Sequence, residues 1–220
     1  MYIFHFEILS RWIGPLLLGL LMTIKVSALA MILGMVVGLG VAFVRMARHV
    51  ALRESAVIYI EIARGMPVLV LIFWFYYGLP ILTGVAFSGL VSGVAALTLK
   101  YAGYLAEIFR AGIEAIKTGQ REAAYSLGFS RAQTMRRIIL PQAIRIVVPP
   151  LGSAFVGMLQ DSALVSIIGV TDLMRQGQLA VASTFRPFEL YTIVALLYLA
   201  TTVTFSKIND YMEKRRQIIQ

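Results

Sequence analysis

From Gly65 to Leu99 the chain carries no charged side chain, and from Ile13 to Phe43 it carries only Lys25. A helix over 13–43 would reach about 46 Å, well beyond the ~30 Å hydrocarbon core of a bilayer. Segments this long and apolar are candidates for crossing a membrane. The composition supports that reading. Of the side chains, 59% are hydrophobic and only 14% charged, where soluble domains carry about a quarter. The mean hydropathy is +0.82. The expected class is therefore an all-α integral membrane protein.

Five spans are expected. The first is 13–43, either one long tilted helix or an interfacial turn followed by a span. The second covers 56–82, with Glu61 and Arg64 near its start. Pro80, Thr83, Gly84 and Ser88 separate it from a third span at 89–107. The fourth runs over 146–170 and passes Gln160 and Asp161. The fifth covers 190–205. The start, "MYIFHFEILSRW", has no basic leader and no small-residue cleavage site after a short apolar core. The first span is accordingly expected to stay in the mature protein.

Lysine and arginine set the orientation of such a chain. Arg45, Arg48 and Arg53 fall between spans one and two, and the turn between spans two and three has no basic residue. The segment 120–145 is basic, and the tail carries Lys207, Lys214, Arg215 and Arg216. The N-terminus is therefore expected outside and the C-terminus in the cytoplasm. The net charge of +9 is then an orientation signal, and no nucleic-acid partner is expected.

The segment "QREAAYSLGFSRAQTMRRIILPQAIR" interrupts the apolar chain with five arginines, Arg121, Arg131, Arg136, Arg137 and Arg145. It predicts a helix over 121–127 ending at Gly128, which suits a left-handed C-terminal position. Ser130 and Gln133 fit a capping box that opens a second helix. That helix reaches about Leu140, where Pro141 stops or bends it. Three readings stand on the residues alone: a solvated orienting loop, a docking elbow, and a helix-turn-helix. The last is tethered at both ends and lacks packing partners.

The pattern Glu-Ala-Ala, three residues, Gly, nine residues, Ile, one residue, Leu-Pro is met by Glu122, Ala123, Ala124, Gly128, Ile138, Leu140 and Pro141. It resembles the cytoplasmic signature of permeases of ABC importers. "GLLMTIKVS", "EIARGMPVLVLIFWFYYGLP" and "LPQAIRIVVPPLGSAFVGMLQDSALVSIIGVTDL" are similar to the polar amino-acid uptake branch, over roughly 15–210. The resemblance implies a type I importer fold in a single domain, 1–220, in a bacterial inner membrane, with a coupling-helix loop at 118–145. It implies a second permease subunit, identical or homologous, two ATPase subunits that bind ATP and Mg, and a periplasmic amino-acid-binding protein. The seven signature residues would then form the coupling elbow, with Ala123 and Ala124 allowing close approach to the ATPase. The arginines suit acidic groups of a partner or lipid phosphates.

Ionisable groups at membrane depth are functional candidates. Asp161 sits in "GMLQDSALVS", among small and polar residues. Ser153, Met158, Gln160, Asp161 and Ser162 are the candidate substrate path. Asp161 either meets a substrate ammonium or caps a helix break. The family often has an acid at the Ala154 position and a lysine at the Gln160 position, so this pocket is less charged. Glu61 and Arg64, three apart on one helical face, suit a gate ion pair or an interfacial salt bridge. Lys25 either snorkels outward or enters the cavity, and "FWFYYG" at 73–78 suits an interfacial aromatic belt.

With no cysteine, disulfides and thiolate metal sites are excluded. His5 and His49 are far apart, so no metal site is expected. No phosphate-binding GxxxxGK[ST] motif occurs. Any ATP is then hydrolysed elsewhere, and the chain itself is not expected to be an enzyme or to hold a cofactor. The alternative is a stand-alone secondary transporter or channel for small polar solutes, although no internal repeat of the kind such transporters carry is visible.

Overall fold

The structure is a computed structural model that describes residues 7–217, with side chains for 10–214. His5, the chain's N-terminus and the side chains of Arg215 and Arg216 lie outside the described residues. Among them every regular element is a helix. We number eight helices: α1 Glu7–Arg45, α2 Val50–Gly65, α3 Val68–Thr83, α4 Gly89–Glu114, α5 Thr118–Ser126, α6 Arg131–Ile168, α7 Leu173–Thr184 and α8 Pro187–Gln217. Helices α1, α4, α6 and α8 are each long and apolar enough to cross a membrane. The pair α2 and α3 makes a fifth span only if counted together across a bend of 101°.

That bend corrects the expected second span. Met66 precedes Pro67, and both are extended, with ψ of 137° and 136°. The proline disfavours helical geometry in the residue before it, so 56–82 cannot be one helix. Helix α2 instead carries exposed Arg53, Glu54, Glu61 and Arg64. The first span resolves the other way, as one helix of 39 residues that continues through Pro15.

Helix α4 is central, and α1, α2, α3 and α6 all pack on it. Small residues allow the closest approach. On α1, Ala30, Gly34, Gly38 and Ala42 recur every four residues, one helical face. A methyl group at Gly38 would stand 2.9 Å from both the Ala102 carbonyl oxygen and Leu105 Cβ. Spacing of this kind brings helix backbones together where no hydrophobic drive exists between lipid and protein. Around the seam lie Val26, Leu71, Ile72, Leu97, Leu105 and Met158, all buried.

Two π-helical turns, Trp74–Gly78 in α3 and Met135–Ile139 in α6, each end one residue before a Leu-Pro pair. Leu79 N–H donates to the Trp74 carbonyl, and Leu140 N–H to that of Met135, five residues back. The widened turn shifts the ladder just where Pro80 and Pro141 cannot donate. Pro141 therefore does not stop the helix. Helix α6 runs unbroken from the basic segment into the membrane, and the expected start at 146 falls in its interior. Its last turn, Ser162–Ile168, tightens to a 3-10 helix and ends at Gly169, φ 84°. Helix α7 lies between the expected fourth and fifth spans, 146–170 and 190–205. Asp172 caps it, accepting from Arg175 N at 2.9 Å.

Candidate functional site

Asp161 ends the α-helical part of α6 and accepts a hydrogen bond from Tyr101 OH on α4 at 3.2 Å. Gly157, one turn earlier, leaves room for the phenol: a methyl group there would stand 3.1 Å from the Tyr101 oxygen. Both side chains line an open cavity of about 410 Å³, with Lys100, Tyr104 and Ile108 from α4 and Pro150 and Ala154 from α6. Lys100 Nζ donates to the Met66 carbonyl at 3.2 Å, at the α2–α3 bend. The rings of Tyr101 and Tyr104 stand 5.8 Å apart. The Arg64 guanidinium lies 5.0 Å over the Tyr104 ring, a cation–π arrangement.

The five residues grouped as a path do not converge. Successive residues of a helix step by about 100°. Asp161 lines the α4–α6 cavity, while Gln160 lines a second one of about 290 Å³, bounded by Tyr198, Leu199 and Thr202 of α8. Met158 is fully buried in the core. Ser162 is also buried and donates back to the Leu159 carbonyl at 2.7 Å. Ser153 is exposed and donates to the Pro149 carbonyl at 3.4 Å. Nor do Glu61 and Arg64 pair within 4 Å, because Arg64 turns to Tyr104 instead. Lys25 stands on the exposed face of α1 between Leu21 and Leu29 and lines none of the cavities described here. Trp74 and Tyr77 of the aromatic run also point outward.

Sequence reasoning missed Lys100, Tyr101 and Tyr104. The signal was available: Lys100 is a cation in the middle of a span, and intramembrane cations are candidates by default. Ala154 lines the same cavity.

At the other end of α6 the basic segment forms an elbow. Helix α5 ends with Gly128 at φ 80°, and Gly128 N–H donates to the Tyr125 carbonyl at 3.0 Å. Ser130 and Gln133 cap α6 reciprocally, at 3.3 and 2.8 Å. Gln142 Nε2 reaches both Gln120 Oε1 and the Ile138 carbonyl, tying α5 to α6. Glu122, Ala123, Leu140 and Pro141 are exposed, and Ile138 is half-buried. Ala124 packs inward at 1% exposure, so its small size serves the elbow's own packing rather than an outer contact. Tyr125 and Leu127 stand out at the turn, 47% and 76% exposed.

A multi-span helical chain with a basic helical elbow at one end of its longest mid-chain helix matches one family over most of its length. The profile is that of the binding-protein-dependent transport system inner membrane component, and it covers residues 30–218. The chain belongs to this family. It is a multi-pass inner membrane component of a transport system.

Among its relatives, the probable glutamine ABC transporter permease protein GlnM of Bacillus subtilis (strain 168) is 40% identical over 197 residues, covering 90% of this chain and 91% of that one. The glutamine transport system permease protein GlnP of Escherichia coli (strain K12) is 38% identical over 216 residues, covering 93% and 94%. The crystal structure of an amino acid ABC transporter with histidines superposes with a TM-score of 0.91 at 40% identity, over 98% of this component and all of that chain. An inward-facing MetNI methionine ABC transporter follows with a TM-score of 0.77 at 20% identity. At that identity the match speaks for the fold alone, the type I permease fold.

Proposed function

We propose that this permease carries an amino acid along the α4–α6 cavity, driven by ATPase subunits that dock at the α5–α6 elbow. The observation that carries the reading is the pair of opposite charges at membrane depth, Lys100 and Asp161, lining one cavity of about 410 Å³. An amino acid presents an ammonium and a carboxylate together, and such a cavity offers a partner to each. The substrate class named for the relatives supports the same choice.

Four further assignments belong to this proposal: a second permease subunit, identical or homologous; two ATPase subunits that hold ATP and Mg; a periplasmic binding protein; and an outside N-terminus with a cytoplasmic elbow. The elbow supports docking through its exposed Tyr125 and Leu127 and its rigid reciprocal cap. Helix α6 supplies the link. It is continuous over 38 residues, so a displacement of the elbow is delivered along one rigid element to Asp161, about 45 Å away. ATP binding draws two ATPases together, and the helix converts that motion into a change at the cavity.

Asp161→Asn tests the reading. Asparagine keeps the size and still accepts from Tyr101, but lacks the charge. A charge-assisted hydrogen bond to substrate contributes about 1.5–3 kcal/mol, so uptake into reconstituted vesicles should fall about 10- to 100-fold. Substrate stimulation of ATP hydrolysis should fall with it, because both act on one equilibrium. Unchanged uptake and stimulation would leave Asp161 as no more than the structural partner of Tyr101.

A further inference from the structure

A separate cavity of about 520 Å³ opens at the basic end of α1. Four arginines from four helices reach it: Arg45 of α1, Arg53 of α2, Arg110 of α4 and Arg121 of α5. Glu114 is the one carboxylate residue in the lining. Arg110 is already held by Glu107 at 2.6 Å and by Glu114. Arg45 Nε stands 3.9 Å from Glu107 Oε1, while Arg110 holds Oε2 of the same carboxylate. Arg53 meets Glu54 at the exposed rim. Arg121 has no carboxylate within 4 Å among the described residues. Its Nη2 donates to the Ile113 carbonyl at 3.1 Å, and its Nε is buried with no partner.

Guanidinium groups repel one another and bind phosphate as paired donors. Four guanidinium groups here meet three carboxylates, Glu54, Glu107 and Glu114, which leaves one positive charge and the buried Arg121 Nε open to an anion. The cavity mouth adds a second constraint. Phe43, 53% exposed, lines it and continues a stripe of Leu39 and Val36 along the outward face of α1, at 39% and 69% exposure. An acyl chain can follow that stripe into the span, whereas a free phosphate ion has no use for it.

We propose that this cavity binds the headgroup of an anionic phospholipid. Its phosphodiester sits against Arg45 and Arg121, and an acyl chain lies along the Val36–Phe43 face of α1. Basic pockets between helices at the membrane surface are suited to such headgroups. The site lies apart from the substrate path, which it neither lines nor shares.

The test uses the full chain in neutral detergent, together with whatever subunits co-purify. Dioctanoyl phosphatidylglycerol, dioctanoyl phosphatidylcholine and inorganic phosphate are titrated separately, with binding read by native mass spectrometry and by the shift in Tm. The glycerol lipid should bind saturably, at least about tenfold tighter than the choline lipid or phosphate. The double variant Arg45→Gln, Arg121→Gln should lose about tenfold or more, and the corresponding double lysine variant should keep part of the binding. Should the glutamine pair fail to fold, Phe43→Gln decides, since it should weaken the lipid and leave phosphate unaffected. Equal binding of the two lipids would overturn the proposal, as would undiminished binding by the glutamine pair. Phosphate binding as tightly as the glycerol lipid, with Phe43→Gln indifferent, would make this a free-ion site and overturn the lipid assignment. Lipid binding that occurs only when the ATPase is stripped away would assign the arginines to an acidic partner surface, with the same effect.

Discussion

Asp161 and Asp172 are both buried or half-buried acids near the C-terminal end of α6, and their surroundings give them different roles. Asp161 was legible in the sequence as a charge within an apolar span. Its grouping with Lys100 and Tyr101 was not, because both arrive from another helix, while neighbours in sequence such as Met158 and Ser162 turn to other faces. Asp172 lies outside the spans and is fully buried. It caps α7, and Tyr198 OH of α8 approaches its other oxygen at 3.4 Å. Burial pushes its carboxyl up from 3.8 to about 6, against the lowering effect of hydrogen bonds from Arg175 and Met174 N–H groups. The folded protein therefore holds this proton more tightly than the unfolded chain. The contribution of Asp172 to stability is fully present below about pH 4 and declines as pH rises toward 6, by on the order of 2–3 kcal/mol. Asp172→Asn keeps an acceptor for the cap and removes the titration. Thermal melts of the two proteins between pH 4 and 7.5 should show the wild type losing more Tm than the variant across that window. Parallel declines would contradict the assignment.

Single elements were partly legible. The capping box at Ser130 and the left-handed Gly128 follow from local chemistry, and local chemistry survives folding. The effects of proline did not follow from composition. Pro67 breaks a span that hydropathy joins, whereas Pro80 and Pro141 break nothing, because a π turn precedes each. Hydropathy counts apolar residues and is blind to which carbonyl a given N–H can reach. The small-residue seam of α1 is a four-residue repeat that the reading of the spans by hydropathy passed over, and its partner on α4 carries no such repeat to flag it. Gly128 gives the sharpest test at this scale. A methyl group there meets nothing within 4 Å, and the positive φ alone requires glycine. Gly128→Val should strain the elbow by about 1–2 kcal/mol or more and abolish co-purification of the ATPase without loss of membrane insertion. Gly119→Ala, equally open but within α5 at ordinary helical φ, should leave co-purification intact. Full co-purification with Gly128→Val would remove the elbow as the docking element.

At the scale of the whole molecule, the fold class and family were readable, because long apolar segments and a spaced signature do not depend on packing. The bent α2–α3 pair and helix α7 were not, since Pro67 and the Asp172 cap mark them locally and hydropathy registers neither. Orientation is open to direct measurement, because the chain has no cysteine of its own. Thr83→Cys, at the end of α3, should label with an impermeant thiol reagent from outside in intact cells, and Ser130→Cys should label only after permeabilisation. The reverse pattern would invert the topology and move the elbow away from any cytoplasmic ATPase. The central claim is that an amino acid crosses through this chain at the expense of ATP hydrolysed elsewhere, and uptake of labelled glutamine and histidine into vesicles tests it most directly. Vesicles would hold the chain alone or the chain with the ATPase and binding protein encoded beside it. The account predicts accumulation of at least one of the two amino acids only in the complete set, only with ATP on the elbow side, and reduced about 10- to 100-fold by Asp161→Asn. Equal uptake by the chain alone without ATP would contradict it and identify a self-sufficient transporter.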